Sequence, residues 1–303
     1  MSKIKSYLSL IKFSHTIFAM PFALIGFFIG IFEYTSAIPG WHNKIFTPLF
    51  DWDLFFTKLI LVIASMIFAR SAAMAFNRYL DRKFDAKNPR TAIREIPAGI
   101  ISANSAWVFT VISSFLFIIV CYFINRICFF LSPIALLVVL GYSYTKRFTP
   151  LCHLILGLGL SLAPIGAYLA VTGHFSLLPI LFSFSVVFWV SGFDIIYALQ
   201  DEEFDKAQKL YSLPAWLGKS KALRVSEALH VLSALCIFSA AVVGRFGWLY
   251  WIGAVLFSGM LIYQHSIVKP TDLKKVNLAF MTANGIASVI FAAFVIADLF
   301  FHF

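Results

Sequence analysis

Residues 77–85 read NRYLDRKFD and follow directly on a long apolar run; residues 194–205 read DIIYALQDEEFD and close another. Asp201 and Asp205 repeat the spacing of Asp81 and Asp85 at a displacement of 120 residues. Each pair is i, i+4. A helix that continues from the apolar run into the motif therefore sets both carboxylates on one face, about one turn apart. Two such faces brought together can share a cation.

The runs that carry these motifs belong in hydrocarbon. Hydrophobic residues make up 61% of the 303 positions and charged residues 13%, and the mean hydropathy is +0.88. A water-soluble domain of this length would have to expose large apolar patches. Nine apolar runs reach the length that a bilayer demands of a helix, near 14–32, 55–77, 104–123, 127–144, 150–171, 177–198, 225–243, 247–264 and 277–301. The expected fold is all-α: a polytopic bundle of nine transmembrane helices with cytoplasmic cap loops, forming one domain over residues 1–303. The first run follows a short basic start, contains Pro21 and lacks a small-residue cleavage pattern, so it reads as a span rather than a signal peptide.

Positive charge gives the orientation. Sorted by alternating connections, 19 of the 24 Lys and Arg fall on one side and four (Lys44, Lys58, Arg126, Arg245) on the other, with Arg70 inside the second run. The positive-inside rule then predicts a cytoplasmic amino terminus and an outer carboxyl terminus. The net charge of +10 reads as topology, and no nucleic-acid partner is needed to explain it. Both acidic motifs land on the cytoplasmic face, at the heads of the two longest cytoplasmic connections, 78–103 and 199–224. Cys121, Cys128, Cys152 and Cys236 stand singly, with no spacing that suggests a zinc site or a disulfide framework.

Acidic pairs set among cations at a membrane surface suit one ligand class in particular. Mg2+ takes oxygen ligands, keeps some of its water and is commonly held by one or two carboxylates together with substrate phosphates. Arg and Lys neutralise the remaining phosphate charge. Arg82, Lys83, Arg90 and Arg94 follow the first motif, and Lys146 and Arg147 follow the fourth run. A prenyl diphosphate meets both requirements, with its head group at the cytoplasmic mouth and its tail between helices.

Several stretches carry a family resemblance. NRxxDxxxD at Asn77–Asp85, YxxQDxxxD at Tyr197–Asp205, SHTIFAMPFALIG at 14–26, NPRTAIREIPAG at 88–99, GYSYTKRFTPLCHLILG at 141–157 and LYSLPAWLG at 210–218 together resemble the UbiA superfamily of intramembrane aromatic prenyltransferases. The likeness is to the quinone-pathway branch that includes 4-hydroxybenzoate polyprenyltransferase and its menaquinone-route relatives. Two departures stand out: Arg78 where an acid often follows the Asn, and Ala198 where an Asp often follows the Tyr.

The resemblance implies Mg2+-dependent transfer of a polyprenyl group from its diphosphate to a hydroxylated aromatic acid, 4-hydroxybenzoate or a naphthoate, in ubiquinone or menaquinone biosynthesis. It implies a bacterial inner membrane location with the active site facing the cytoplasm. Asn77, Asp81, Asp85, Asp201 and Asp205 would be the metal-binding and catalytic set; Arg82, Arg90, Arg94, Lys146, Arg147 and Tyr142 would face the diphosphate. Arg70, Asp194 and Tyr197 would meet the aromatic substrate. Arg70 lies seven residues before Asn77 and Asp194 seven before Asp201, so each sits about two turns deeper than a motif. An intramembrane arginine needs a polar cavity or a partner, and an Arg70–Asp194 ion pair is the structural alternative to carboxylate binding. His15 and His153 read as polar packing, Glu202 and Glu203 as solvated, and Pro21 and Pro164 as bends. Gly157 and Gly159 read as a close helix contact. Other acceptors of the same superfamily (haem, chlorophyll, lipid-glycerol) and a secondary transporter with an Arg70–Asp194 ion path are the competing functions.

Overall fold

The computed structural model describes residues 3–11, 18–36 and 51–302. His15, Lys12, Lys44 and the start of the first apolar run lie outside the described residues. Twelve α-helices are present among those described: α1 Lys3–Leu10, α2 Met20–Ser36, α3 Trp52–Asp85, α4 Ala103–Ile124, α5 Arg126–Thr145, α6 Cys152–Thr172, α7 Leu177–Ala198, α8 Glu202–Ala207, α9 Leu213–Leu217, α10 Lys219–Val243, α11 Trp248–Ile267 and α12 Asn284–His302.

Among the described residues, seven helical segments are long and apolar enough to cross a membrane: α3, α4, α5, α6, α7 with its continuation to Ala207, α10, and α12 with the π-helical stretch before it. The other two expected crossings fall on α2 and α11. The described apolar part of α2, Met20–Thr35, is shorter, and α11 is diluted by Trp248, Trp251, Tyr263, Gln264 and His265. At 34 residues, α3 is about 51 Å long against a hydrocarbon core of about 30 Å, so it carries its last turns beyond the bilayer interior. Those last turns are the NRYLDRKFD motif.

Helix α7 is the hub, packed on α6 along one side and on α10 along another; α2 packs on α6, α3 on α4, and α11 on α12. Lipid offers no hydrophobic drive between helices, so close approach and interhelical hydrogen bonds hold the bundle together. A Cβ at Gly26 would lie 2.0 Å from the Pro164 carbonyl oxygen, and one at Gly157 would lie 2.4 Å from that of Val187. Only a hydrogen lets these backbones meet. A Cβ at Gly159 would meet Val139 of α5 at 3.7 Å, an ordinary packing distance, so of the two glycines only Gly157 is required for a close approach. Ser185 Oγ lies 2.9 Å from Ser233 Oγ, and Ser226 Oγ donates to Gly192 O at 2.7 Å, joining α7 to α10. Pro164 lies inside α6, whereas Pro21 sits in the first turn of α2. There its missing N–H costs no hydrogen bond and bends nothing.

The chain departs from regular α-helix at two useful places. Leu199–Asp201 tightens into a 310 turn between α7 and α8, so the second acidic pair straddles a break instead of riding one continuous helix. Before α12, Leu278–Ala283 is π-helical, and Asn284 Nδ2 donates to the carbonyls of Ala279 and Phe280 at 3.2 and 3.0 Å. That widened turn delivers Phe280 to the same side of the bundle as the acidic motifs.

Candidate active site

All four motif aspartates face cations. Arg147 Nη2 lies 3.3 Å from Asp81 Oδ1, Arg94 Nη1 2.6 Å from Asp85 Oδ1, and Lys146 Nζ 2.7 Å from Asp205 Oδ1. Arg90 grips Asp201 through Nε at 3.1 Å and through Nη2. Asp81 and Asp85 come from the end of α3, as their spacing predicts. Asp201 caps α8, and Asp205 lies within it. The partners arrive on other elements. Arg90 and Arg94 belong to the 86–102 connection, which folds back over the mouth: Asn88 Nδ2 donates to Asp201 Oδ1 at 3.1 Å, and the Thr91 hydroxyl donates to Asp85 O at 3.1 Å. Lys146 and Arg147 follow directly on α5. Ser212 Oγ donates to Asp205 Oδ2 at 2.9 Å and holds a carboxylate with no exposed surface.

Burial alone would lower the Lys146 pKa, but Asp205 at contact distance outweighs it and leaves the ammonium above its ordinary value. At Arg90 burial likewise opposes the charge, and Asp201 and Tyr197 together overcome it. Both cations are therefore fixed charges throughout the physiological range.

The donor set is hard oxygen, the kind that Mg2+ prefers. Asp85 Oδ2 is buried and accepts no hydrogen bond, although Asp85 lines the cavity, which leaves an acceptor without a donor beside it. Asn77 Nδ2 donates to Asp81 Oδ2 at 3.1 Å, leaving the amide oxygen available. Among the described residues, no three His, Cys, Asp or Glu side chains converge into a metal cage by themselves. A divalent ion here would thus take part of its coordination from a substrate and from water, which is how Mg2+ is usually held beside phosphates.

Below the mouth lies a cavity of about 940 Å3, lined by the motif residues at one end and by Val62, Phe117, Ile124 and Leu131 further in. Ile134 and Phe175 line it too and are 60% and 55% exposed, so it communicates with the lipid-facing surface. Arg70, Tyr142, Asp194 and Tyr197 all line it. The Arg70–Asp194 ion pair is not formed. Asp194 Oδ2 pairs instead with His153 Nδ1 at 2.7 Å, and Arg70 Nε is buried without a partner. Phe280 stacks on Tyr197 with centroids 4.3 Å apart and meets Phe18 and Phe193 edge-on. The Arg90 guanidinium also lies over the Tyr197 ring, 4.9 Å from its centroid.

Most of the expected residues are brought together at the cavity, with two exceptions: Asp205 is fully buried behind the lining, held by Lys146 and Ser212, and Arg82 points away. Arg82 turns back along α3, donating to Tyr79 O at 2.6 Å and lying over the Tyr79 ring, and it does not line the cavity. Glu203 is exposed as expected; Glu202 is largely covered and paired with Lys206 at 2.6 Å. His153 is buried, and its polar partner is the Asp194 carboxylate. Asn88, Ser212, Phe280 and the buried Arg78 were not among the expected site residues. Asn88 and Ser212 fall inside the NPRTAIREIPAG and LYSLPAWLG stretches, which was the available signal. Phe280 had none, since its placement depends on the π-helical turn.

The profile of the UbiA prenyltransferase family matches residues 46–286. The 4-hydroxybenzoate octaprenyltransferase of Tolumonas auensis is 29% identical over 248 residues, covering 80% of this chain and 84% of that protein. That of Aliivibrio fischeri is 27% identical over 269 residues, covering 87% and 86%. The apo UbiA homologue of Aeropyrum pernix K1 superposes with a TM-score of 0.79 at 30% identity, covering 94% of this chain and 98% of that one. The Archaeoglobus fulgidus homologue bound to DMAPP and Mg2+ shares the fold, with a TM-score of 0.70 at 20% identity.

Proposed function

Because this chain belongs to the UbiA prenyltransferase family and is an enzyme that transfers prenyl groups, we propose that it moves a polyprenyl chain from its diphosphate onto the ring of 4-hydroxybenzoate or a hydroxylated naphthoate in quinone biosynthesis. The observation that carries this reading is a pair of polar layers in one cavity. Asp81, Asp85 and Asp201 with their cations line the mouth, with Asp205 buried just behind them against Lys146, and Arg70 and Asp194 lie about two turns deeper on α3 and α7. The first layer suits a diphosphate and the second an aromatic acid.

In this reading Asp81, Asp85 and Asp201, with the Asn77 amide oxygen, would hold Mg2+, and Asp205 would join them on leaving Lys146. When bound, the metal supplies positive charge to the departing diphosphate. Arg90, Arg94, Lys146 and Arg147 swing from the carboxylates to diphosphate oxygens, with Tyr142 beside them. Arg70 takes the acceptor's carboxylate: a guanidinium with a buried, unpartnered Nε gains more from an anion than from any neutral ring. Tyr197 and Phe280 form an aromatic wall against which the acceptor ring and the developing allylic charge can lie. The tail occupies the apolar depth of the cavity. The topology belongs to the same reading: α2 and α11 add two crossings to seven, which puts the amino terminus and both motifs in the cytoplasm and the carboxyl terminus outside a bacterial inner membrane.

The test is transfer of a radiolabelled prenyl group by purified protein to 4-hydroxybenzoate and to 1,4-dihydroxy-2-naphthoate. Asp81→Ala and Asp201→Ala should each reduce transfer about 1,000-fold or more while leaving membrane insertion intact. Mg2+-dependent diphosphate binding without transfer to any aromatic would refute the proposal.

A further inference from the structure

Asp194 lies in the cavity seven residues before Asp201, and its partner is a histidine rather than a lysine or arginine. The hydrogen bonds around His153 settle where its proton resides. The Leu213 backbone N–H points at His153 Nε2 from 3.3 Å. A backbone N–H can only donate, so Nε2 accepts and carries no proton. The ring proton is then on Nδ1 and is donated to Asp194 Oδ2 at 2.7 Å. Both residues line the cavity, but the imidazole is 3% exposed and the carboxylate 24%, so Asp194 is the more open end. One carboxylate oxygen is occupied by the imidazole, and Oδ1 is left to face whatever enters. Ser191 Oγ donates to His153 O at 3.1 Å and anchors the histidine backbone to α7.

We propose that Asp194, oriented by His153, reads the hydroxyl of the aromatic acceptor and takes its proton during transfer, making the enzyme selective for protic rings. This rests on the prenyltransferase reading above. Once a ring fills the cavity, the free carboxylate oxygen loses its water and needs a donor, and a ring that brings an ether in place of a hydroxyl leaves it unpaired. The chemistry needs the same contact. As the prenyl C–O bond breaks, its electron pair leaves on the diphosphate, and the ring carbon ortho to the hydroxyl supplies the pair for the new C–C bond. The hydroxyl proton passes to Asp194, so the intermediate is a neutral dienone. The ring C–H proton then leaves to water or diphosphate, and Asp194 returns its proton to the oxygen, for a net release of one proton per turnover. His153 is a positioning residue, and Arg70 on the same cavity wall holds the acceptor's other, anionic end.

The experiment uses full-length protein in lipid nanodiscs with farnesyl diphosphate and Mg2+. Its acceptors are 4-hydroxybenzoate and 1,4-dihydroxy-2-naphthoate, each set against its methyl ether. Asp194→Asn should lower kcat about 100-fold and erase the preference for hydroxyl over ether, with the Kd for Mg2+–farnesyl diphosphate within about twofold of wild type. His153→Leu should cost about tenfold in kcat. His153→Gln should recover to within about threefold, since an amide can donate to Asp194 and accept from Leu213 at once. The diphosphate Kd shows that each variant is folded. Unchanged kcat and preference in Asp194→Asn, or equal losses in His153→Leu and His153→Gln, would overturn the proposal. A wild-type protein that binds the diphosphate but prenylates neither acceptor would overturn the parent reading and this one with it.

Discussion

Asp205 is fully buried, held by Ser212 and 2.7 Å from Lys146 Nζ, whose side chain keeps 34% of its surface in the cavity. Replacing it with Asn strands a charge, but one that still reaches water, so we expect Asp205→Asn to cost about 1–2 kcal/mol rather than the larger penalty of a dry pair. The pH dependence has a definite sign. Asp205 raises the Lys146 pKa above its reference of 10.5, so the pair's stabilisation is complete below that value and disappears as pH rises through the higher folded one. The melting-temperature gap between wild type and Asp205→Asn should stay flat from about pH 7 to 9 and narrow only above about 10.5. A gap that shrinks between pH 7 and 9 would contradict the assignment. The same pairing has a consequence for metal binding. A divalent ion alone must evict a guanidinium or ammonium from its carboxylate and leave it without an anion, whereas a diphosphate supplies the replacement. Calorimetry should find Mg2+ binding at least about tenfold tighter with inorganic diphosphate present than without it; equal affinities would count against the reading of these carboxylates as a metal–diphosphate site.

Helix contacts set by single hydrogens give the next scale its test. Gly26 and Gly157 each place an absent Cβ within 2.5 Å of backbone on α6 or α7, while Gly166 has nothing within 4 Å of its own. Backbone cannot rotate aside as a side chain can. Gly26→Ala and Gly157→Ala should each lose about 1–3 kcal/mol in thermal unfolding of the solubilised protein, and Gly166→Ala should lose almost none. Equal melting of all three would mean that these contacts do not hold the bundle. How far such elements can be read from residues depends on what fixes them. That α3 continues to Asp85 follows from an unbroken run with no Gly or Pro from Trp52 onward. The break at Leu199–Asp201 does not follow from spacing, because i, i+4 aspartates look alike on a continuous helix and across a 310 turn. There the deciding partners, Asn88 and Arg90, come from more than 110 residues away. Phe280 was hidden for the same reason: a π-helical turn changes which face a residue occupies without changing its neighbours in sequence. The polar packing of His153 is legible, but its partner is not, because that carboxylate stands on another helix, 41 residues on.

At the scale of the whole molecule, hydropathy located every long helix, and the cavity came from how those helices pack. The site was legible because substrate chemistry demands charges, and charges are conspicuous in a chain of which 61% is hydrophobic. Number and direction of crossings rest on α2 and α11, the two helices outside the seven that are long and apolar enough to cross. For α11 the argument is physical. Its 20 residues span about 30 Å, matching the hydrocarbon core, and the polar pair that dilutes it is turned inward: Gln264 Nε2 donates to Asn284 at 2.8 Å, and His265 Nε2 meets His230 Nδ1 at 2.9 Å. Gln264 Oε1 and His265 Nδ1 stay unpartnered, but side chains turned into the bundle and bonded there through their other polar atom do not face lipid, so they oppose insertion little. Arg245 and Lys275, both exposed, flank this helix, and charge asymmetry assigns them to opposite faces. In a chain with its native cysteines replaced by alanine, Lys275→Cys should resist a membrane-impermeant thiol reagent on spheroplasts and react in inverted vesicles. Arg245→Cys should do the reverse. Leu8→Cys and Asp53→Cys, exposed positions before and after α2, should behave like Lys275→Cys and Arg245→Cys respectively. If either pair labels from one side only, the intervening helix does not cross, the nine-helix topology fails, and the carboxyl terminus need not lie outside.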